Sequence, residues 1–285
     1  MNEGVLDLAD GRKLGYASYG SADAPPVVYC HGFPTNRREF QIVEPVLERR
    51  GVDARVVVFD RPGYGTSSVR PKRTFLDWPA DVAAAADLLG FDDFSVVGVS
   101  GGGPYALACG YSLPDRVRRV GLVAGVAPRE ATGMEEAASI DGPSANRLLR
   151  RLQFAMSAYA FKKGQEDRFV DQTVAAMGDV DRDLLSRPDV RRWFAEMIRE
   201  GFAQGGRAAA LEASLFRRSW GFDPAQVKVE THLWYGGEDK TVPASAGRWL
   251  ADCMLDAEMV VWPQHGHLSW MIADEAADVI AWAIG

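Results

Sequence analysis

Val96-Val-Gly-Val-Ser100-Gly-Gly-Gly-Pro104-Tyr-Ala-Leu-Ala108 decides the fold of this chain. An apolar run reaches Ser100 and passes at once into a helix-forming Ala/Leu segment, with no loop between them. A serine on so tight a strand-to-helix turn has a crowded backbone. Its small neighbours Gly98, Gly101 and Gly102 relieve that crowding, in the G-x-S-x-G spacing of a nucleophile elbow. The turn lifts the hydroxyl clear of a sheet and sets it at a helix N-terminus, where free N–H groups and the helix dipole favour developing negative charge. Pro104 is tolerated because the first helical turn leaves its N–H groups unpaired.

The flanks of this turn repeat its alternation of strand and helix. Upstream, Val27 to Cys30 and Arg55 to Phe59 are short apolar strands, separated by a helical segment from Arg38 to Arg50. Thr74 to Leu89 has a helical pattern closed by Gly90, and Phe94 to Val99 is the strand that carries Ser100. Such continuous apolar runs suit parallel strands covered on both faces. A hairpin precedes them, Val5 to Leu8 and Lys13 to Tyr19 around Asp10-Gly11. Downstream, Arg119 to Ala124, Glu230 to Tyr235 and Glu258 to Trp262 read as strands, and Leu268 to Ile284 as a closing amphipathic helix. The fold class is α/β, a mostly parallel central sheet flanked by helices.

After Ala127 the texture changes, and no strand pattern appears until Phe222. Ser144 to Lys163, Asp189 to Glu200 and Gly206 to Ser219 read as helices broken at Gly142-Pro143, Arg187-Pro188 and Gly205-Gly206. The expected organisation is a main domain over 1–126 and 223–285, with a helical cap inserted at 127–222. A module leaving the sheet after the strand ending near Ala124 overhangs the edge where Ser100 sits. It is therefore expected to select substrate and leave the chemistry to the main domain. Phe154, Trp193, Met197 and Trp220 are its candidate pocket residues.

The 285 residues are 47% hydrophobic and 25% charged, an ordinary globular composition, and the net charge is −7. That balance argues against nucleic acid or an anionic membrane as partner. With no signal-peptide pattern and no long apolar span, a soluble, cytoplasmic protein is expected. Cys30, Cys109 and Cys253 are odd in number and widely spaced, which fits reduced thiols. No metal spacing occurs, and no cofactor is implied.

A serine hydroxyl near pH 7 needs a base and a group to orient that base. Histidine occurs only at 31, 232, 265 and 267. Two loops past late strands carry the candidates: Tyr235-Gly-Gly-Glu-Asp239-Lys-Thr-Val-Pro243 and Pro263-Gln-His265-Gly-His267-Leu-Ser269. In a parallel sheet the carboxyl ends of the strands line one edge, so both loops converge on Ser100.

With elbow, acid loop and histidine loop in the chain order Ser, Asp, His, nearly the whole sequence resembles the α/β-hydrolase superfamily. The resemblance selects His267 as general base, because it follows Gly266 and precedes the final helix, over His265 and the strand residue His232. It selects Asp239 over Glu238 as the acid. The alternative acid position of some members, after the strand following the elbow, is Ala124-Gly-Val-Ala-Pro128 here and holds no carboxylate. An oxyanion hole from the backbone N–H groups of Gly101 and Phe33 is implied, the latter in His31-Gly-Phe-Pro34, with His31 bracing that loop. Asp60-Arg-Pro-Gly-Tyr-Gly-Thr-Ser67 resembles a structural turn of the family near the site mouth.

Serine at the elbow disfavours epoxide opening and halide displacement, which use aspartate there. It implies acyl transfer and hydrolysis of small-molecule carboxylic esters, including lactones. The scaffold also hosts C–C hydrolases, aminopeptidases, cofactor-free perhydrolases and non-catalytic receptors. An aminopeptidase would need a cap carboxylate cluster; Glu135, Glu136, Asp141, Glu166 and Asp167 are present there but read as solvated. The oligomeric state is left open.

Overall fold

The computed structural model describes residues 1–134, 146–162 and 166–285. Its centre is a sheet of β1 (Asn2–Asp7), β2 (Lys13–Tyr19), β3 (Pro26–Cys30), β4 (Arg55–Phe59), β5 (Phe94–Val99), β6 (Val117–Val123), β7 (Glu230–Gly236) and β8 (Ala257–Trp262). Their order is β1-β2-β4-β3-β5-β6-β7-β8. The opening hairpin pairs antiparallel, with Asp7 opposite Lys13, and β2 runs antiparallel to β4; the other neighbours are parallel.

The helices of the main domain are α1 (Glu44–Arg50), α2 (Trp78–Leu89) and α3 (Gly103–Ser112), with α9 (Ala244–Cys253) and α10 (Glu275–Ile284) late in the chain. Successive side chains of a strand point to opposite faces. Val27, Tyr29, Val56, Val58 and Val97 therefore pack toward α1 and α10, while Val28, Cys30, Val57, Phe59 and Val96 pack toward α2, α3 and α9. Burial on both faces is why these strands are apolar throughout, each fully buried valine contributing about 1.5–3 kcal/mol.

Between β6 and β7 the chain forms α4 (Arg147–Lys162), α5 (Glu166–Ala175), α6 (Asp179–Leu185), α7 (Pro188–Gly201) and α8 (Arg207–Phe216). These helices occupy the stretch in which no strand pattern was expected. α4 turns Phe154, Ala158 and Phe161 inward and leaves Leu148, Leu149, Leu152, Met156 and Tyr159 exposed. Gly142-Pro143, the ends of the expected Ser144–Lys163 helix, and Glu135, Glu136 and Asp141 lie outside the described residues, as does the side chain of Glu166. Asp167 is solvent-exposed.

The expected Gly206–Ser219 helix is trimmed at both ends to α8, and three other expected helices divide into a 3-10 turn and a shorter helix. The segment from Arg38 is a 3-10 turn, Glu39–Ile42, and then α1; Pro45 in the first turn of α1 has no N–H to carry a ladder back through that turn. Thr74 to Leu89 likewise divides into a 3-10 turn at Phe75–Asp77, closed by a Thr74/Asp77 capping box, and α2 with Pro79 in its first turn. Leu268 to Ile284 divides into a 3-10 turn at Ser269–Ile272 and α10. There the N–H groups of His267, Leu268 and Ser269 are engaged by the Asp181 carboxylate of α6 instead of opening a helix. α5, α6 and α9 have no counterpart among the sequence expectations.

The sheet order places the functional edge. From β3 the chain crosses to β4 on one side and later returns to β5 on the other, so the loops after β3 and β5 diverge over adjacent strands. Crevices at such a reversal are where open α/β sheets bind ligands.

Candidate active site

Ser100 opens the turn between β5 and α3 with φ +51, a left-handed conformation that costs a non-glycine residue energy and persists only where its surroundings enforce it. They do so by close approach. A Cβ on Gly98 would lie 2.7 Å from both Ala106 Cβ and the Gly102 carbonyl oxygen, and one on Gly102 would collide with the Cys30 carbonyl. The G-x-S-x-G spacing is thus the steric signature of α3 packing directly over β5 and β3.

His267 follows β8 and Asp239 follows β7, so both stand on the same edge as Ser100. His267 Nε2 lies 2.9 Å from Ser100 Oγ, and His267 Nδ1 lies 2.7 Å from Asp239 Oδ2. The other carboxylate oxygen of Asp239 accepts the N–H groups of Thr241 at 2.7 Å and Val242 at 2.9 Å. That accounts for the Asp-Lys-Thr-Val spacing: the main chain folds back on the side chain and fixes its plane. Glu238 beside it is exposed. Ser100, Asp239 and His267 are all buried. Burial alone would push the His267 pKa down, but the charge and hydrogen bond of Asp239, joined by the charges of Asp181 and Glu39, hold it above its ordinary value.

The other histidines are held elsewhere. His265 Nδ1 pairs with Ser269 Oγ at 3.0 Å, and its Nε2 faces Glu275 at 3.3 Å. His232 stacks on Trp234 at 4.4 Å in β7. His31 is fully buried after β3. Its Nε2 accepts the Arg61 N–H, so its proton sits on Nδ1, which donates to the Gly32 carbonyl at 2.9 Å. Burial and the neighbouring Arg61 charge keep it neutral.

Phe33 and Gly101 meet across the β3–β5 reversal. A Cβ on Gly101 would lie 2.6 Å from Phe33 Cβ and 3.3 Å from Phe33 N. Two buried acids brace this corner. Glu39 accepts the Gly32 N–H and the hydroxyls of Thr35 and Tyr29; burial raises its pKa, and these donors with Arg61 partly offset that. Glu212, on cap helix α8, accepts from Arg61, Arg73, Tyr64 and Tyr105, and Arg61 in turn donates to the carbonyls of His31 and Gly32. Burial would raise the Glu212 pKa, but the two guanidiniums more than offset it, so the carboxyl is ionised. The Asp60–Ser67 turn thus supplies Arg61 and Tyr64 to a buried network that ties α8 to the loops after β3 and β4.

A cavity of about 300 Å³ opens over Ser100 and His267, lined by Phe33, Phe154, Phe169, Trp193, Phe194 and Met197 among others. Trp220 lies apart from it, packed on Phe75 at 5.7 Å and Phe222 at 5.8 Å. Among the described residues no lysine or arginine lines the cavity, no cluster of three His, Cys, Asp or Glu could hold a metal, and no helix is long and apolar enough to cross a membrane.

Sequence reading missed Glu39, Glu212 and Asp181. Glu212 carries a faint signal as a lone acid in the otherwise uncharged run Ala-Ala-Ala-Leu-Glu212-Ala, and Glu39, directly after Arg37-Arg38, reads as part of a charged surface. Asp181 carries none, because acidic residues surround it in Asp179-Val-Asp-Arg-Asp183.

Comparison with known proteins agrees with this architecture. The chain is 35% identical over 121 residues to a serine hydrolase-like protein of Danio rerio, a match spanning 41% of the chain and 36% of that protein. It is 27% identical over 252 residues, 87% of the chain and 89% of the relative, to pimeloyl-[acyl-carrier protein] methyl ester esterase of Chromobacterium violaceum. The solved structure of a thermophilic esterase from Thermogutta terrifontis superposes with a TM-score of 0.73 at 23% identity, covering 99% of this chain and 98% of that one. The sequence profile of the alpha/beta hydrolase family matches residues 27–282, and with that span, this sheet order and the elbow at Ser100, the chain belongs to that family.

Proposed function

We propose that this protein is a serine hydrolase of carboxylic esters, lactones included, with Ser100 as nucleophile, His267 as general base and Asp239 as its orienter. The observation that carries the reading is the hydrogen-bonded line from Asp239 through His267 to Ser100, ending on the floor of an apolar cavity. His267 Nε2 takes the Ser100 proton as Oγ attacks the carbonyl carbon. The N–H groups of Phe33 and Gly101 receive the oxyanion, and the alkoxide departs with the proton held on Nε2. A water deprotonated by His267 then releases the acid and regenerates Ser100.

The esterase among the relatives spanning most of the chain supports the ester as the bond cleaved. The aromatic lining and the lack of a described basic residue in it suit a neutral, apolar acyl group. Glu39 is taken up by its own loop and is placed to brace it rather than to hold a substrate amine. The test is a panel of p-nitrophenyl esters graded by chain length, with lactones and aminoacyl anilides alongside. Turnover confined to anilides, or absent throughout, would remove the reading.

The segment 127–222 serves in this reading as the lid that shapes the acyl pocket. Phe154→Ala, Trp193→Ala and Met197→Ala are each expected to move the preferred acyl chain to greater length, with about 1–3 kcal/mol of discrimination per methylene. Trp220→Ala should leave the chain-length profile in place, because that ring packs away from the cavity. Comparing kcat/KM over the panel decides it, and uniform profiles in the three lining variants would place acyl selection in the main domain.

The pH dependence follows from the direction of the His267 shift. The imidazole must be neutral to accept a proton, and its pKa is held above the usual ~6.5, so activity is complete above that raised value and lost as pH falls through it. The acid limb of kcat/KM is expected to have its midpoint above about 6.5. A midpoint well below this would mean that another group limits the rate.

A further inference from the structure

Asp181 is fully buried on cap helix α6, yet it makes its bonds to the main domain. Its Oδ2 accepts the His267 N–H at 2.6 Å, and its Oδ1 accepts those of Leu268 at 2.8 Å and Ser269 at 3.2 Å. A carboxylate taken out of water costs several kcal/mol unless its oxygens are satisfied. Here three consecutive main-chain donors satisfy it, and the first belongs to the residue whose ring faces Ser100. The loop carries its own complement: Trp270 Nε1 donates to the His267 carbonyl at 3.1 Å, so both sides of that residue's main chain are tied. Gly266 completes the fit, since a Cβ there would collide with the Asp181 carboxylate.

We propose that Asp181 is a positioning residue for the reaction, a cap carboxylate that fixes the main chain of His267 so that its imidazole meets both Ser100 and Asp239. The proposal rests on His267 being the general base. It departs from the expectation that the cap only selects substrate. A misplacement of about 1 Å in a catalytic group costs on the order of 10²-fold in rate, and His267 stands on a loop, where precision needs an external support. Asp181 also adds negative charge near a ring that becomes cationic as Ser100 attacks, beside Asp239 and Glu39, the other acids that face it.

The test compares the full-length wild type with Asp181→Asn and Gly266→Ala, each checked for native near-ultraviolet circular dichroism. The first variant removes the charge at constant shape; the second keeps the charge and pushes the carboxylate off the loop. Labelling of Ser100 by a fluorophosphonate and hydrolysis of p-nitrophenyl butyrate are followed against pH. Both variants are expected to lose about 10- to 100-fold in labelling rate and kcat, with KM within about twofold. In Asp181→Asn the acid limb moves to lower pH, because the imidazolium loses a stabilising charge; a loss of mere packing would leave that limb in place.

Folded variants with wild-type rates and an unmoved acid limb overturn the proposal, as does a change confined to KM. If Asp181→Asn does not fold, Gly266→Ala carries the rate test alone. A wild type that neither labels at Ser100 nor hydrolyses esters overturns the hydrolase reading instead. The His267 ring titration by NMR then decides on Asp181: a midpoint lowered in the asparagine variant, or by displacement of the carboxylate in Gly266→Ala, supports the contact, and an unchanged midpoint overturns it.

Discussion

Ser100→Ala is expected to lower kcat on any ester substrate by about 10⁶-fold and to abolish fluorophosphonate labelling, with the melting temperature little changed. The size follows from the chemistry. The line from Asp239 through His267 ends on the Ser100 hydroxyl, and without that oxygen His267 has no nucleophile to deprotonate except water. The fold should survive, because alanine keeps the Cβ and so neither relieves nor worsens the φ of +51, and the lost hydroxyl has His267 as its hydrogen-bond partner. Labelling and turnover are measured on the same preparation, so an inactive fold cannot pass for a missing nucleophile. Label on another serine, or turnover above a percent or so of wild type, would take Ser100 out of its role.

His267→Ala should cost nearly as much, and Asp239→Asn about 10⁴-fold in kcat. The second value is the more diagnostic. Asp239 Oδ2 accepts the proton on His267 Nδ1, which leaves the Nε2 lone pair facing Ser100; an asparagine presenting its NH₂ there would reverse the tautomer and turn a proton toward the nucleophile. Asp239→Asn should also disturb the Thr241 and Val242 contacts only mildly, since the amide oxygen can still accept them. His265→Ala should stay within severalfold of wild type, because that ring pairs with Ser269 and Glu275. Steady-state kinetics on the three variants suffices, and exchanged phenotypes between the two histidines would reassign the base.

What was legible in the sequence is what local spacing determines. The serine turn is written within Gly98 to Gly102 because the clashes that shape it lie in the adjoining strand and helix. The parallel strands are legible because double burial leaves them no polar face, and the all-helical stretch because strand patterns stop between Ala127 and Phe222. Helix starts were less so: at Pro45 and Pro79 a helical pattern continues through a break that only the missing N–H produces. The contacts from the inserted helices to the main sheet's loops were the least legible. Asp181 meets His267 across 86 residues and Glu212 meets Arg61 across 151, and an acid on a helix reads as part of a solvated face until the fold places it against its donors.

The Glu212 network also bears on how substrate comes and goes. To move α8 away from the sheet, the protein would have to draw this carboxylate off Arg61, Arg73, Tyr64 and Tyr105 and leave two guanidiniums without their shared acid. Breaking a buried ion pair costs about 3–5 kcal/mol, so such a state would be occupied by about one molecule in two hundred to one in five thousand at any instant. Asp181 pins a second point in the same way. α6 and α8 are thus each tied to the main domain by a buried carboxylate, whereas α4 and α5 meet the cavity with their inner residues and solvent with their outer ones.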